Sequence, residues 1–144
     1  MNQAAIFYPV AALALLTLSV LLLIPYQRFK AAFAKKVTPH DFKYGESTNV
    51  PPEVSIPNRN MMNLLELPLL FYVACLTLFV THTVDVVALN LAWVYFALRA
   101  GHSFVHLTYN KVMHRLAFFA LSSFVLTAIW LRIVLSLHTL SGAG

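Results

Sequence analysis

The stretch that decides the fold lies between residues 58 and 68, where the chain reads Asn-Arg-Asn-Met-Met-Asn-Leu-Leu-Glu-Leu-Pro. Its polar members Arg59, Asn63 and Glu66 are spaced i, i+4 and i+7, which places all three on one face of a helix. The residues that follow, as far as Val80, are almost all apolar. A carboxylate beside such a segment is costly in a bilayer unless it faces protein, water or a counter-ion. The stretch therefore predicts a polar binding site at the start of a membrane-spanning helix.

The composition indicates that the rest of the chain is also built for a membrane. Of its 144 residues, 60% are hydrophobic and only 10% are charged, whereas about a quarter are charged in soluble domains. Four segments are long enough for the ~20 residues that a helix needs to cross the hydrocarbon. They lie at residues 6–26, 61–81, 86–110 and 116–137. We therefore expect an all-α integral membrane protein, with residues 1–144 forming one bundle of four transmembrane helices.

The distribution of basic residues predicts the orientation of the bundle. No Lys or Arg precedes Tyr26, whereas six lie in the connection 27–60. Lys111 and Arg115 lie in the turn between the third and fourth segments, and the turn at 81–85 has neither residue type. The positive-inside rule places the two basic connections in the cytoplasm and both termini on the other side. Because the basic residues follow the first apolar segment, that segment does not resemble a cleaved signal peptide.

The same asymmetry explains the formal net charge of +5, so the charge indicates no nucleic-acid partner. Within the connection 27–60, the prolines Pro51, Pro52 and Pro57 predict extended, irregular chain. The single cysteine, Cys75, excludes an intrachain disulfide. Its position inside an apolar segment is typical of a packing residue.

The third segment holds a second polar face. Arg99, His102, His106 and Tyr109 are spaced i, i+3, i+7 and i+10, again on one side of a helix. Arg99 lies about 16 Å from the end of the segment at ~1.5 Å per residue, close to the midplane of the bilayer. Glu66 is the only acidic residue inside any predicted span. We therefore expect an ion pair between Arg99 and Glu66.

Other interpretations of the third segment remain open. His102 and His106 are also typical of interior histidines that bridge helices, and Tyr109 is typical of an anchor at the membrane interface. A four-residue histidine spacing suits a metal or haem. No second histidine pair faces it from another span, so the sequence predicts no metal site.

Taken together, these features resemble the MAPEG family, the membrane-associated proteins in eicosanoid and glutathione metabolism. The resemblance covers the whole chain, and motifs in three segments carry it. They are Arg59-x3-Asn63-x2-Glu66 before a proline-containing apolar helix, Arg99-x2-His102-x3-His106, and Arg115 at the start of the last span. The chain looks like a bacterial-type member similar to microsomal glutathione transferase and prostaglandin E synthase, which implies the bacterial inner membrane.

The resemblance implies a homotrimer in the lipid bilayer, with glutathione bound as co-substrate at the protomer interfaces. Arg115 matches the arginine that stabilises the glutathione thiolate, which makes it the expected catalytic residue. A lipophilic second substrate is expected to reach the thiolate from the membrane. The residues expected to bind glutathione are Arg59, Asn63, Glu66, Arg99, His102, His106 and Tyr109.

Two classes of function remain open from the sequence. The first is a glutathione-dependent transferase or peroxidase acting on lipophilic electrophiles. Lowering a thiol pKa of ~8.5 by ~2 units requires ~2.7 kcal/mol, which one well-placed guanidinium can supply. The second is a non-catalytic lipid-binding or scaffold protein of the same fold, as one member of the family is. A haem or metal electron carrier is a third, less favoured class.

Overall fold

The computed structural model describes residues 2–142, and side-chain surroundings for residues 2–138. Within this part of the chain the architecture is all-helical, without a β-strand. Short 3₁₀ turns at Gln3–Ile6 and Pro39–Phe42 accompany five α-helical segments. These are α1 (Phe7–Phe33), α2 (Pro52–Leu65), α3 (Leu67–Val80), α4 (Val86–Leu107) and α5 (Val112–Gly142). Since α2 and α3 are two halves of one interrupted element, the predicted bundle of four long helices is confirmed.

Three of the long helices are apolar enough to cross a membrane by length and composition. They cover Gln3–Phe33, Pro52–Val80 and Val112–His138. Large apolar side chains such as Leu22, Leu76 and Phe124 point outward from them, as a lipid-facing surface requires. The 22 residues of α4 are also long enough to cross ~30 Å of hydrocarbon. Its polar residues lower its mean hydropathy and leave it outside the apolar set. Arg99, His102 and His106 among them are buried.

The connection between the first two long helices is shorter than residues 27–60. Helix α1 continues through Pro25 to Phe33, and α2 already begins at Pro52. The expectation of irregular chain as far as Pro57 is wrong. Pro52 lies in the first turn of α2, where its missing N–H costs nothing. Pro57 lies inside the helix and is buried.

The long second element is interrupted at Glu66, within the stretch that predicted the binding site. Glu66 has φ −77° and ψ −88°, outside the α-helical region. Pro68 explains the interruption, because its ring nitrogen has no hydrogen to donate to the carbonyl of Leu64. In the last turn of α2 the carbonyl of Met62 still accepts from the N–H of Glu66, whereas that of Asn63 is available to a partner outside the helix.

Two apolar clusters hold the bundle together, with the polar residues between them. The larger cluster joins α1, α3, α4 and α5 around residues such as Leu13, Phe71 and Ile129. The smaller cluster packs the end of α1 against the start of α2 through Ala31 and Val54. The buried polar face of α4 lies at the end of the larger cluster that is nearer to the connection 34–51.

At the other end of the bundle, polar groups close the turn between α3 and α4. The side-chain amide of Gln3 donates to the carbonyl of Val84 (3.2 Å) and accepts from its N–H (2.9 Å). Asp85 caps α4 by accepting from the N–H of Ala88 at 2.7 Å. Its second carboxylate oxygen forms an ion pair with Arg132 of α5. This end is therefore fixed by polar contacts among three separate elements.

Candidate functional site

The first predicted motif lies on the last two turns of α2 and at the interruption that follows. Asn63 is partly buried, whereas Arg59 and Glu66 are exposed. The side-chain amide of Asn63 donates to the carbonyl of Arg59 at 2.9 Å, which holds it along the helix. The motif therefore places one amide toward the bundle and two opposite charges on the outer surface of the protomer.

Arg99 is fully buried, but its partner is not the predicted one. Its Nη2 donates to the backbone carbonyl of Asn63, one of the carbonyls made available by the interruption after Leu65. The ion pairs among the described residues do not include Arg99 and Glu66, so the predicted pair is wrong. Glu66 is near enough for an electrostatic interaction with Arg99 but remains exposed.

His102 and His106 are both buried on the inner face of α4, as their spacing predicted. The Nδ1 atom of His102 lies 3.1 Å from the backbone carbonyl oxygen of Arg115. The two imidazole rings are nearly perpendicular, with centroids 5.8 Å apart. His106 lies within electrostatic range of Arg115 and Arg59. The two histidines therefore lie near the arginines of both α2 and α5.

Tyr109 does not share this face. Helix α4 ends at Leu107, and Tyr109 lies in the following turn, where it is exposed. Its hydroxyl hydrogen-bonds to Nδ1 of His114 at 2.9 Å. The expectation that Tyr109 continues the polar face of α4 is therefore wrong. A position beside the membrane surface agrees with the alternative interpretation as an interface residue.

Arg115 is held on the first turns of α5 by the chain reversal that precedes it. Asn110 has φ 50°, a left-handed conformation that Asn tolerates at helix ends. Its N–H donates to the carbonyl of Val105 at 2.8 Å, and its side-chain oxygen accepts from Nη1 of Arg115 at 2.8 Å. The guanidinium is partly buried, and its Nε has no hydrogen-bond partner among the described residues.

Three of the predicted site residues, Asn63, His102 and Arg115, meet at a pocket of about 180 Å³. One wall is polar and consists of Asn63, His102 and Arg115. The other wall is apolar and consists of Val112, Leu116 and Phe119, of which Val112 and Leu116 are exposed on the outside of α5. The pocket is therefore cationic on one side and open to the lipid-facing surface on the other.

A second pocket of about 180 Å³ lies next to the first, at the end of the bundle. Arg59 and Asn110 line it, together with residues at the start of α2. Arg115, which lines the first pocket, donates a hydrogen bond to Asn110, which lines the second. A ligand with several polar groups could therefore contact Arg59 in one pocket and Arg115 in the other.

The sequence interpretation missed Asn60, a fully buried residue of the same motif. Neither polar atom of its side-chain amide has a hydrogen-bond partner among the described residues. The same holds for Nε and Nη1 of Arg99 and for Oγ of the buried Ser103. The available signal for Asn60 was its spacing of three residues from Asn63, which places it on the same side of α2.

The site has the chemistry of an anion-binding pocket. Arg115 lines the first pocket and Arg59 the second. Together with Arg99 and Glu66, which line neither, they give a formal charge of +2 from four residues. Within residues 2–138 no three His, Cys, Asp or Glu side chains come together in a way that could hold a metal ion.

The fold and this site define a helical integral membrane protein with a cationic pocket at one end of its bundle. A sequence model of the MAPEG family matches residues 6–135, which is nearly the whole chain. The chain belongs to the MAPEG family, and with it to the membrane proteins of glutathione or eicosanoid metabolism. No curated protein and no solved structure matches the chain in the corresponding comparisons.

Proposed function

We propose that the protein is a glutathione-dependent transferase or peroxidase that acts on lipophilic electrophiles. The observation that carries this proposal is the pocket with one cationic and one apolar wall. Glutathione is a polar anion, whereas its acceptor would be dissolved in the lipid. A pocket with both kinds of wall lets the two react without either having to leave the phase in which it is soluble.

In this proposal Arg115 stabilises the thiolate of glutathione. Its guanidinium lies in the polar wall and is oriented by the side chain of Asn110. Arg59, Asn63 and Glu66 bind the peptide and charged ends of the tripeptide, and Arg99, His102 and His106 form the inner side. Tyr109, with its hydroxyl on His114, would contact glutathione only at the rim.

We further propose that the site is completed by a neighbouring protomer in a homotrimer. Pockets for small molecules usually have about 300–1,000 Å³, whereas each of the two pockets has about 180 Å³. Arg59 and Glu66 are exposed on the outside of a membrane helix, where lipid contact is costly. Association around a closed symmetry axis would cover both residues. The basic connections would face the cytoplasm of a bacterial inner membrane.

A direct test is the ultraviolet absorbance of the thiolate when glutathione is added to the detergent-purified protein at pH 7. We expect a thiolate band with glutathione and none with S-methylglutathione, which has no ionisable thiol. We also expect a trimer mass in mild detergent, and turnover of a generic lipophilic electrophile only when glutathione is present. Monomers in mild detergent would contradict the shared site.

The Arg59→Ala variant separates binding from chemistry. Because Arg59 lies outside the pocket that contains Arg115, its loss should weaken glutathione binding while the bound thiol still ionises. Calorimetry and the thiolate absorbance at saturating glutathione measure the two effects separately. Loss of thiolate absorbance at full saturation would show that Arg59, rather than Arg115, stabilises the anion.

The alternative is a non-catalytic lipid-binding or scaffold protein of the same fold. The exposed apolar wall formed by Val112 and Leu116 favours it, because an acyl chain could lie there without any reaction. Wild-type protein that binds glutathione at pH 7 without a thiolate band would exclude the enzyme and support this alternative.

A further inference from the structure

The hydrogen bond of His102 determines which of its ring nitrogens carries the proton. Its Nδ1 lies 3.1 Å from the backbone carbonyl oxygen of Arg115. A carbonyl oxygen can only accept a hydrogen bond, so Nδ1 must be the donor. In the neutral imidazole the remaining nitrogen, Nε2, then carries a lone pair and acts as a base.

The residue that carries this basic nitrogen belongs to the candidate pocket. His102 lies in the polar wall of the pocket that contains Arg115 and Asn63. Its Nε2 is buried and has no hydrogen-bond partner among the described residues. The ring of Phe119 lies 6.3 Å away between centroids, which helps to fix the orientation of the imidazole. Arg115 therefore orients the base through its carbonyl and offers a cation through its side chain.

We propose that His102 is the catalytic base that removes the thiol proton of glutathione. This inference rests on the proposed function and adds a proton acceptor to it. The S–H bond breaks, its electron pair stays on sulfur, and the proton forms a new N–H bond at Nε2. The thiolate is then stabilised by the guanidinium of Arg115 and can attack the electrophile, forming the sulfur–carbon bond.

The charged groups around His102 determine whether the proton stays on the imidazole ring. Arg99 and His106 face it from α4, and Arg115 faces it from α5. From α2, Arg59 acts on the neighbouring His106, and Asn63 is uncharged. Because two guanidinium groups lie near the ring, a lasting imidazolium is unfavourable there. The imidazolium therefore gives up its proton before the next turnover, which regenerates the base.

The test is the His102→Asn variant, studied as the full-length protein in detergent. The amide of Asn can still donate to the carbonyl of Arg115 in place of Nδ1, but it offers no base. Stopped-flow absorbance should show thiolate formation slowed by about 100-fold, the usual contribution of general base catalysis. The final amplitude at pH 7 should be unchanged, since Arg115 still stabilises the anion. Added imidazole should restore part of the rate.

Two further variants make the result specific. His102→Gln also removes the base, and it should show the same slow rate and unchanged amplitude if His102→Asn is poorly folded. His82→Asn is the matched control, because His82 lies exposed in the turn at the other end of the bundle. It should behave like wild type in rate and amplitude, with or without imidazole.

The outcomes separate this inference from the function on which it rests. Wild-type protein without a thiolate band would overturn both. A wild-type thiolate band together with wild-type rates in folded His102→Asn and His102→Gln would overturn only the role of His102. A reduced amplitude without rescue by imidazole would show that His102 has a structural role, and it would also overturn the inference.

Discussion

At the end of the bundle where α1 begins, both polar atoms of the partly buried side-chain amide of Gln3 form hydrogen bonds. Its amide donates to and accepts from the backbone of Val84. At the opposite end, the amide of Asn60 is fully buried, and neither of its polar atoms has a partner among the described residues. The same type of chemical group is thus paired at one end of the molecule and unpaired at the other.

This contrast in hydrogen bonding favours the end of the bundle that contains Asn60 as the end that binds a ligand. An unpaired buried polar group costs about 1–3 kcal/mol. At the end with Gln3 and Asp85 the amide and the carboxylate are paired, and the unpaired buried atoms there include Nε1 of Trp130 and Nε of Arg132. Around the candidate pocket, Asn60, Arg99 and His102 each retain unpaired atoms. More of these unpaired atoms lie at the end that contains the cationic pocket, where we propose that glutathione binds.

The largest effect is expected when one arginine is removed from each end of the bundle. Arg115→Ala should reduce turnover at pH 7 by about 25-fold, since a thiol pKa raised from ~6.5 to ~8.5 lowers the thiolate fraction from about three quarters to about 3%. Arg132→Ala removes a partly exposed ion pair, so it should cost at most ~1 kcal/mol in stability and leave turnover unchanged. Kinetics with a generic electrophile and thermal unfolding in detergent measure both effects. Equal turnover in the two variants would remove the functional distinction between the ends.

A second experiment tests how closely α4 and α5 must approach near the pocket. A Cβ atom at Gly101 would lie 2.6 Å from Cε1 of Phe118. Gly101→Ala should therefore destabilise the protein by roughly 1–3 kcal/mol, the usual cost of overpacking. Phe118→Leu should recover most of that loss in the double variant. An unchanged melting temperature for Gly101→Ala alone would show that the ring moves aside at no cost.

The comparison of the two amides can be tested directly. Gln3→Ala removes two hydrogen bonds to Val84 and should cost about 1–2 kcal/mol without affecting glutathione binding. Asn60→Leu removes a buried amide that has no partner within the protomer, so we expect little loss of stability but weaker glutathione binding. Thermal unfolding measures the stability of each variant, and calorimetry measures its affinity for glutathione. A larger stability loss for Asn60→Leu would show that this amide is paired in the assembled protein.

The smallest effect is expected in the connection 34–51, outside the bundle. The carboxylate of Asp41 accepts hydrogen bonds from the backbone and side chain of Thr38 and from Ser47. These bonds, with the backbone N–H of Thr38 first, lower the pKa of Asp41 below its ordinary value of 3.8. The stabilisation that the ionised carboxylate gives to this connection is therefore fully present above pH 3.8. It is lost as the pH falls through the lower pKa that Asp41 has in the folded protein.

Hydrogen exchange of residues 38–47, corrected for intrinsic rates, measures this contribution. Wild-type protection should decline only in acid, whereas Asp41→Asn should show reduced protection already at pH 7. Protection that is identical in the two proteins at pH 7 would show that the carboxylate does not hold this turn.

Much of the fold could be predicted from the sequence, because apolar segments of fixed length leave few alternatives in a bilayer. The inner face formed by Arg99, His102 and His106 was also predictable, since helical spacing alone determines it. The Arg99–Glu66 pair was predicted by matching charged side chains. That reasoning overlooked a backbone carbonyl, which became available only because Pro68 interrupts the helix.

The end of α4 could not be predicted to the residue. No Gly or Pro marks the boundary, and the chain instead reverses through Asn110 with φ 50°. Tyr109 was therefore counted with the helix although it lies outside. The extension of α1 to Phe33 was missed for a related reason. The basic residues after Tyr26 indicated where the chain leaves the membrane, but a helix can continue beyond that point into water.

The apolar wall formed by Val112, Leu116 and Phe119 has a consequence for how the rate should be described. A substrate that enters through this wall is drawn from the bilayer, so its effective concentration is its mole fraction among the lipids. Dilution of the sample with buffer would then leave the rate per protein unchanged for an electrophile that partitions strongly into lipid. Addition of empty vesicles would lower the rate, because the same amount of electrophile would be spread over more membrane.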